Sequence, residues 1–163
     1  MPRIPSFPMA APMALLALLV AGCATAPQAP PEPAAPAVVP TLPPAFPNQE
    51  LIGRWGYAAF HRPDDRARTE AAARAQCNKP YVISAGPGGG VMMYLADDSQ
   101  MHELTLKGHP NGKTYLGPQG EPGGPQDREV ISFDGRVLVL HWVDKEVAGR
   151  YGTGVYVRCG PHA

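Results

Sequence analysis

Charge is nearly missing from the first 48 residues, where Arg3 and Glu32 are the only charged side chains. The same stretch holds 13 of the chain's 21 prolines, and proline lacks an amide donor and fixes φ, so helix and sheet are both disfavoured there. The whole chain has no net charge, with 14 basic and 14 acidic side chains. That balance excludes a nucleic-acid binder driven by bulk charge and a polybasic membrane-surface protein. The apolar run at residues 13–21 (MALLALLVA) has nine residues, too few for a spanning helix, which needs roughly 20. Cysteine is limited to positions 23, 77 and 159.

Catalytic and metal-binding patterns are also missing. No Gly-X-Ser-X-Gly elbow exists, and beyond the leader serine occurs only at 84, 99 and 132. The glycines at 86 and 88–90 are followed by a strand pattern and lack the Lys-Ser/Thr of a phosphate loop. Residues 149–154 (GRYGTG) also precede a strand and read as a turn with glycines at positive φ. Asp97 and Asp98 read as turn formers. His61, His102, His109 and His141 lack metal-ligand spacing. The expectation is a protein without catalytic residues, metal or cofactor.

What is present begins with an address. The apolar run ends in Leu19-Val20-Ala21-Gly22-Cys23, which resembles the lipobox of bacterial lipoproteins. The resemblance implies removal of residues 1–22 as a signal peptide, and Cys23 as an N-acylated, S-diacylglycerylated amino terminus. Three acyl chains anchor far more firmly than one, which is marginal. In such lipoproteins an aspartate after the cysteine retains the protein at the inner membrane. Residue 24 is alanine, which implies the outer membrane. The other reading is an ordinary secretory signal cut near Ala24 or Ala26.

Residues 23–48 then read as the lipidated cysteine and a Pro/Ala tether, extended at about 3.1 Å per residue. Residues 49–163 read as one periplasmic β-domain. Cys77 and Cys159 are the cysteines left to it, and an oxidising compartment favours their pairing over two buried thiols.

The domain reads as mainly β: an antiparallel meander of about eight short strands curling into a small barrel, with one Ala-rich helix after the first strand. The strands expected are 51–59, 81–84, 91–95, 102–107, 114–116, 127–133, 136–143 and 155–159, and the helix is 64–77. Glu70 and Arg74 form an i,i+4 pair on it. Asp134-Gly135 predicts a two-residue type I′ hairpin that sets Phe133 against Arg136, Ile131 against Leu138 and Val130 against Val139. On that register Ile131, Phe133, Leu138, Leu140 and Trp142 share one face, and Val130, Val137, Val139, His141 and Val143 the other. Both faces are apolar, so the hairpin is expected to be covered on both sides, one by the core and one by the helix, a long loop or a partner.

Gly53-Arg54-Trp55 is similar to the Gly-X-Trp of the lipocalin-like, or calycin, families. The resemblance implies a small barrel with an arginine of the last strand over the tryptophan, a place Arg158 would fill. Bacterial protease-inhibitor lipoproteins of similar size share that barrel.

The expected function is a non-catalytic binding module on the outer membrane, facing the periplasm. Its partners would be the membrane, through the acyl chains on Cys23, and an envelope protein or small ligand, but not nucleic acid. The candidate binding residues are Trp55 and Arg158, together with Gly88, Gly89, Gly90, Gln119 and Glu121 in two glycine-rich loops. The alternatives are an inhibitor of an envelope-attacking protease or lysozyme, and a carrier of a small apolar ligand. The large residues Trp55, Tyr57, Met92, Tyr94, Leu104 and Trp142 would either fill or line the barrel.

Overall fold

The computed structural model describes residues 42–160. The leader, Cys23 and the tether up to residue 41 lie outside the described residues. The chain forms eight strands: β1 (Gly53–Phe60), β2 (Tyr81–Ala85), β3 (Val91–Tyr94), β4 (Met101–Gly108), β5 (Thr114–Gly117), β6 (Arg128–Phe133), β7 (Val137–Trp142) and β8 (Thr153–Arg158). Each pairs antiparallel with its neighbour, and β1 also pairs with β8, so the meander closes into a barrel. Closure removes the exposed strand edges an open sheet would present. Helix α1 (Arg66–Ala75) follows β1 as expected, flanked by short 3-10 turns, and carries the Glu70–Arg74 ion pair at 3.0 Å.

The interior is filled at one end. Leu51, Trp55, Ile83, Val91, Met93, Leu104, Leu116, Leu138 and Leu140 form a buried cluster. Part of the expected linker seals that end: Phe46 packs on Phe133 at 4.4 Å between ring centroids, and Leu42 bridges to Gly108. Asn48 does more local work. The Leu106 amide of β4 donates to its Oδ1 at 2.8 Å, and its Nδ2 donates to Gly89 O and Thr105 Oγ1. A strand amide left without a ladder partner would be costly if buried.

The hairpin of β6 and β7 departs from the expected register. Phe133 pairs with Leu138, Ser132 with Val139 and Val130 with Leu140, with an irregularity between Val130 and Ser132. The turn is shifted by one residue. Asp134 N donates to Val137 O, which leaves Gly135 and Arg136 at the tip with positive φ only at glycine, the pattern of a type II′ turn. Asp134 Oδ1 holds the turn by accepting from the Arg136 and Val137 amides, and these bonds hold its carboxyl below the usual range. The bulge places Ile131 opposite nothing and turns it outward, 47% exposed. Val130 and Phe133 then both pack on the interior cluster.

Of the covers expected for the outer face (the helix, a long loop or a partner), the Ala-rich helix is the one found. Ala73 joins Val139, Val155 and Val157 in a second buried cluster, with Ala58, Phe60 and Val137 beside it. The approach is close because Gly56 of β1 has no side chain, and a Cβ there would overlap the Ala73 carbonyl. The Cys77–Cys159 disulfide ties the turn after α1 to the end of β8 across 82 residues of sequence. Closing a loop of that size stabilises by about 4 to 5 kcal/mol in the chain-entropy model.

A second helix, α2 (Lys145–Tyr151), was not expected from the sequence. Asp144 Oδ1 caps it by accepting from the Glu146 and Val147 amides at 2.9 Å, and Gly152 ends it at φ 69. Residues 149–151 are therefore the end of a helix, with the positive φ confined to Gly152.

Gly56→Ala is expected to push α1 off the barrel and cost about 1–3 kcal/mol. Urea denaturation measures it, and an unchanged midpoint would contradict the close contact.

Candidate binding cleft at the open end of the barrel

Opposite the sealed end the barrel opens into a cleft of about 460 Å³, within the range of ordinary small-ligand sites. Strand alternation builds it. Tyr57 follows Trp55 on the inner face of β1, and Tyr156 and Gly154 share the inner face of β8. Tyr81, Tyr94, Arg128 and Trp142 lie at the strand ends nearest the opening. Five of the chain's six tyrosines line this one cleft. Tyr57 and Tyr156 stand 4.8 Å apart between centroids, Tyr81 and Tyr156 5.6 Å. Gly154 makes room for them, since a Cβ there would lie 3.1 Å from the Tyr57 ring and 3.2 Å from Tyr156.

Arg128 is the basic group lining the cleft, whose rim also carries Asp97 and Asp98, and is only 4% exposed. Its guanidinium lies 4.1 Å over the Trp142 ring, and its Nη2 donates to the Tyr94 carbonyl. Its Nε and Nη1 are buried without a hydrogen-bond partner. No carboxylate forms an ion pair with it among the described residues. Burial raises the Tyr57, Tyr81 and Tyr156 hydroxyls above their ordinary value, against a smaller opposite pull from Arg128. The cleft therefore holds neutral phenols and a fixed positive charge, with the Asp97 and Asp98 carboxylates at its rim.

The rim is tied by Asp97, the one non-glycine with positive φ, 58°, among the described residues. Asp tolerates that conformation better than most residues. Its carboxylate accepts from Arg150 Nη2 at 2.6 Å and Nη1 at 3.2 Å, and from the Tyr151 hydroxyl. This bridge joins the β3–β4 loop to α2. Asp98 accepts from the Gln100 amide and meets His102 Nε2 at 2.7 Å.

The residues singled out in the sequence fall elsewhere. Trp55 is fully buried at the sealed end. Arg158 lies 4.1 Å over its ring, as the Gly-X-Trp resemblance implied. It donates to Ile52 O and Gly135 O at 2.9 Å and to Glu50 O. That arginine is committed to structure. Its outer side borders a hollow of about 680 Å³ beside the disulfide with Arg74 and Arg136, where Arg74 is already paired with Glu70.

The two glycine-rich loops are also held from within. Glu103 Oε1 accepts from the Gly88 and Gly90 amides at 2.8 Å. The 117–126 loop lies over the outside of β4 and β5, pinned by a buried ion pair. Lys107 Nζ donates to Asp127 Oδ1 at 2.7 Å and to the Pro118 and Glu121 carbonyls, while Asp127 Oδ2 accepts from the Gly123 and Gly124 amides. Glu121 thus contributes its carbonyl. Gly88, Gly90 and Gln119 meet around a hollow of about 190 Å³ floored by Glu103 and Thr105. Gly89 lies outside that hollow, its carbonyl taken by Asn48.

Among the large residues, Trp55 and Leu104 fill the interior, while Tyr57, Tyr94 and Trp142 line the opening. Met92 is on the opposite face of β3 from buried Val91 and Met93. In comparison with known proteins, no family model, curated protein or solved structure matches the chain.

The Asp97 carboxyl is held below its ordinary 3.8, first by the Tyr151 hydroxyl and then by Arg150. A depressed carboxylate contributes its stabilisation above the unfolded-state value and loses it as pH falls through the folded one. The rim bridge is therefore expected to persist at pH 4 and release in stronger acid. Carboxyl-carbon NMR titration of Asp97 checks it, with Tyr151→Phe moving the titration back upward. A titration unchanged by that substitution would contradict the assignment.

Proposed function

We propose that the chain is an outer-membrane lipoprotein whose barrel is a non-catalytic binding module, with the tyrosine-lined cleft as its ligand site. The observation that carries the site is the concentration of five tyrosines, Trp142 and an under-partnered Arg128 around one opening of an otherwise filled barrel. The anchor rests on the lipobox-like Val20-Ala21-Gly22-Cys23. The sealed end would limit a carrier role to what the cleft itself holds. The inhibitor reading gains no such support. The 117–126 loop, one segment that could enter a hydrolase cleft, is pinned along the barrel by Lys107 and Asp127.

Native mass spectrometry of the full chain, released in detergent from the envelope, tests both parts. The expected result is a mature chain beginning at acylated Cys23, carrying a small-molecule adduct that Tyr94→Ala loses while keeping its fold. Cys23→Ser is expected to leave the chain unacylated. A clean mass from every preparation would overturn the small-ligand reading. An acylation that survives Cys23→Ser would overturn the anchor.

A further inference from the structure

The barrel contains two arginine–tryptophan stacks, one at each end. Both guanidinium carbons lie 4.1 Å from the indole centroid. The sealed-end stack is saturated, because Arg158 donates to three carbonyls. The open-end stack is not, because two of Arg128's three nitrogens have no acceptor. A buried cation without an ion-pair partner is costly, and replacing such a group by an apolar one is often neutral or stabilising. Its stack on Trp142 and its bond to the Tyr94 carbonyl leave those two nitrogens unaccounted for.

We propose that the cleft binds a small aromatic monocarboxylate, with its carboxylate on Arg128 and its ring among the tyrosines. This rests on the cleft being the binding site. The planar guanidinium matches a carboxylate, which would pair end-on with Nη1 and Nη2 or side-on with Nε and Nη2, supplying an acceptor to one of the two free nitrogens. A single charge fits, because Asp97 and Asp98 line the same cleft and would repel a second negative group. The aromatic body follows from the walls, where ring pairs at offset and edge-on distances leave ring faces and edges to meet another ring. Reaching the buried nitrogens requires a ring at the mouth to turn. Tyr57, Tyr94 and Tyr151, 37%, 41% and 39% exposed, are the cleft rings that solvent reaches.

Calorimetry on the full chain in detergent, with phenylacetate and its neutral isostere phenylacetamide, tests the assignment. The acid is expected to bind at least about tenfold more tightly than the amide. Arg128→Met is expected to abolish that preference and to keep or raise Tm. A lower Tm would make Arg128 a structural residue and overturn the proposal. As a second variant, Arg128→Lys keeps the charge and loses the fork, and is expected to weaken the acid by about threefold or more. Unchanged affinity would overturn the proposal. Equal binding of acid and amide would overturn the carboxylate but leave the cleft as a site. Absence of binding by either, with an adduct still seen by native mass spectrometry, would overturn this ligand class alone.

Discussion

Closure of β1 against β8 is the constraint on which the rest depends. It runs from Trp55–Arg158 to Phe60–Thr153 and brings the first and last strands of the meander together. At its base Arg158 stacks on Trp55 and takes up carbonyls from the chain entering β1 and from the β6–β7 turn. The Cys77–Cys159 bond fixes the end of the same strand to α1. Without this seam, α1 would have no surface to cover, since its buried partners come from β1, β7 and β8. Gly56 belongs to the same arrangement, because only a bare backbone lets α1 lie so close.

The seam also gives the barrel its polarity. Packing of Phe46, Leu51, Trp55 and Phe133 consumes one end, and five tyrosines and Trp142 collect at the other. The two ends use the same pair of side-chain types with opposite economies of hydrogen bonding. Arg158 has its acceptors supplied by the fold, and its removal would orphan carbonyls. Arg128 has one carbonyl and one indole face. Under-satisfied groups of this kind are where the proposed binding would draw on stability.

Much of this was legible in the sequence, and the reasons are local. Alternation and turn residues placed all eight strands. The alanines of 66–75 placed α1, and a two-sided apolar hairpin required a cover that α1 supplies. The hairpin register was not legible, because Asp134-Gly135 serves both turn types and nothing local announces the bulge at Ile131. That error put Val130 on the wrong face. It also hid Arg128, which follows Val130's parity into the barrel. Helix α2 escaped because its seven residues contain Gly149 and depend on the Asp144 cap. The glycine loops looked open in sequence, since the acceptors that fill them, Glu103 and Asp127, come from other strands or from the loop's far end. Arg128 stands between Asp127 and Glu129 in sequence, so it reads as part of an ordinary charged strand start and its burial was not legible.

The central claim is that one end of the barrel is sealed and the other receives ligand. The chain's two tryptophans report on the two ends separately, Trp55 in the core and Trp142 in the cleft. The most direct measurement is the pair of indole N–H resonances of the full chain during titration with phenylacetate. The account predicts that the Trp142 resonance moves while Trp55, whose Nε1 is held by the Leu51 carbonyl at 2.9 Å, stays in place. Movement of Trp55, or no movement of either, would contradict it.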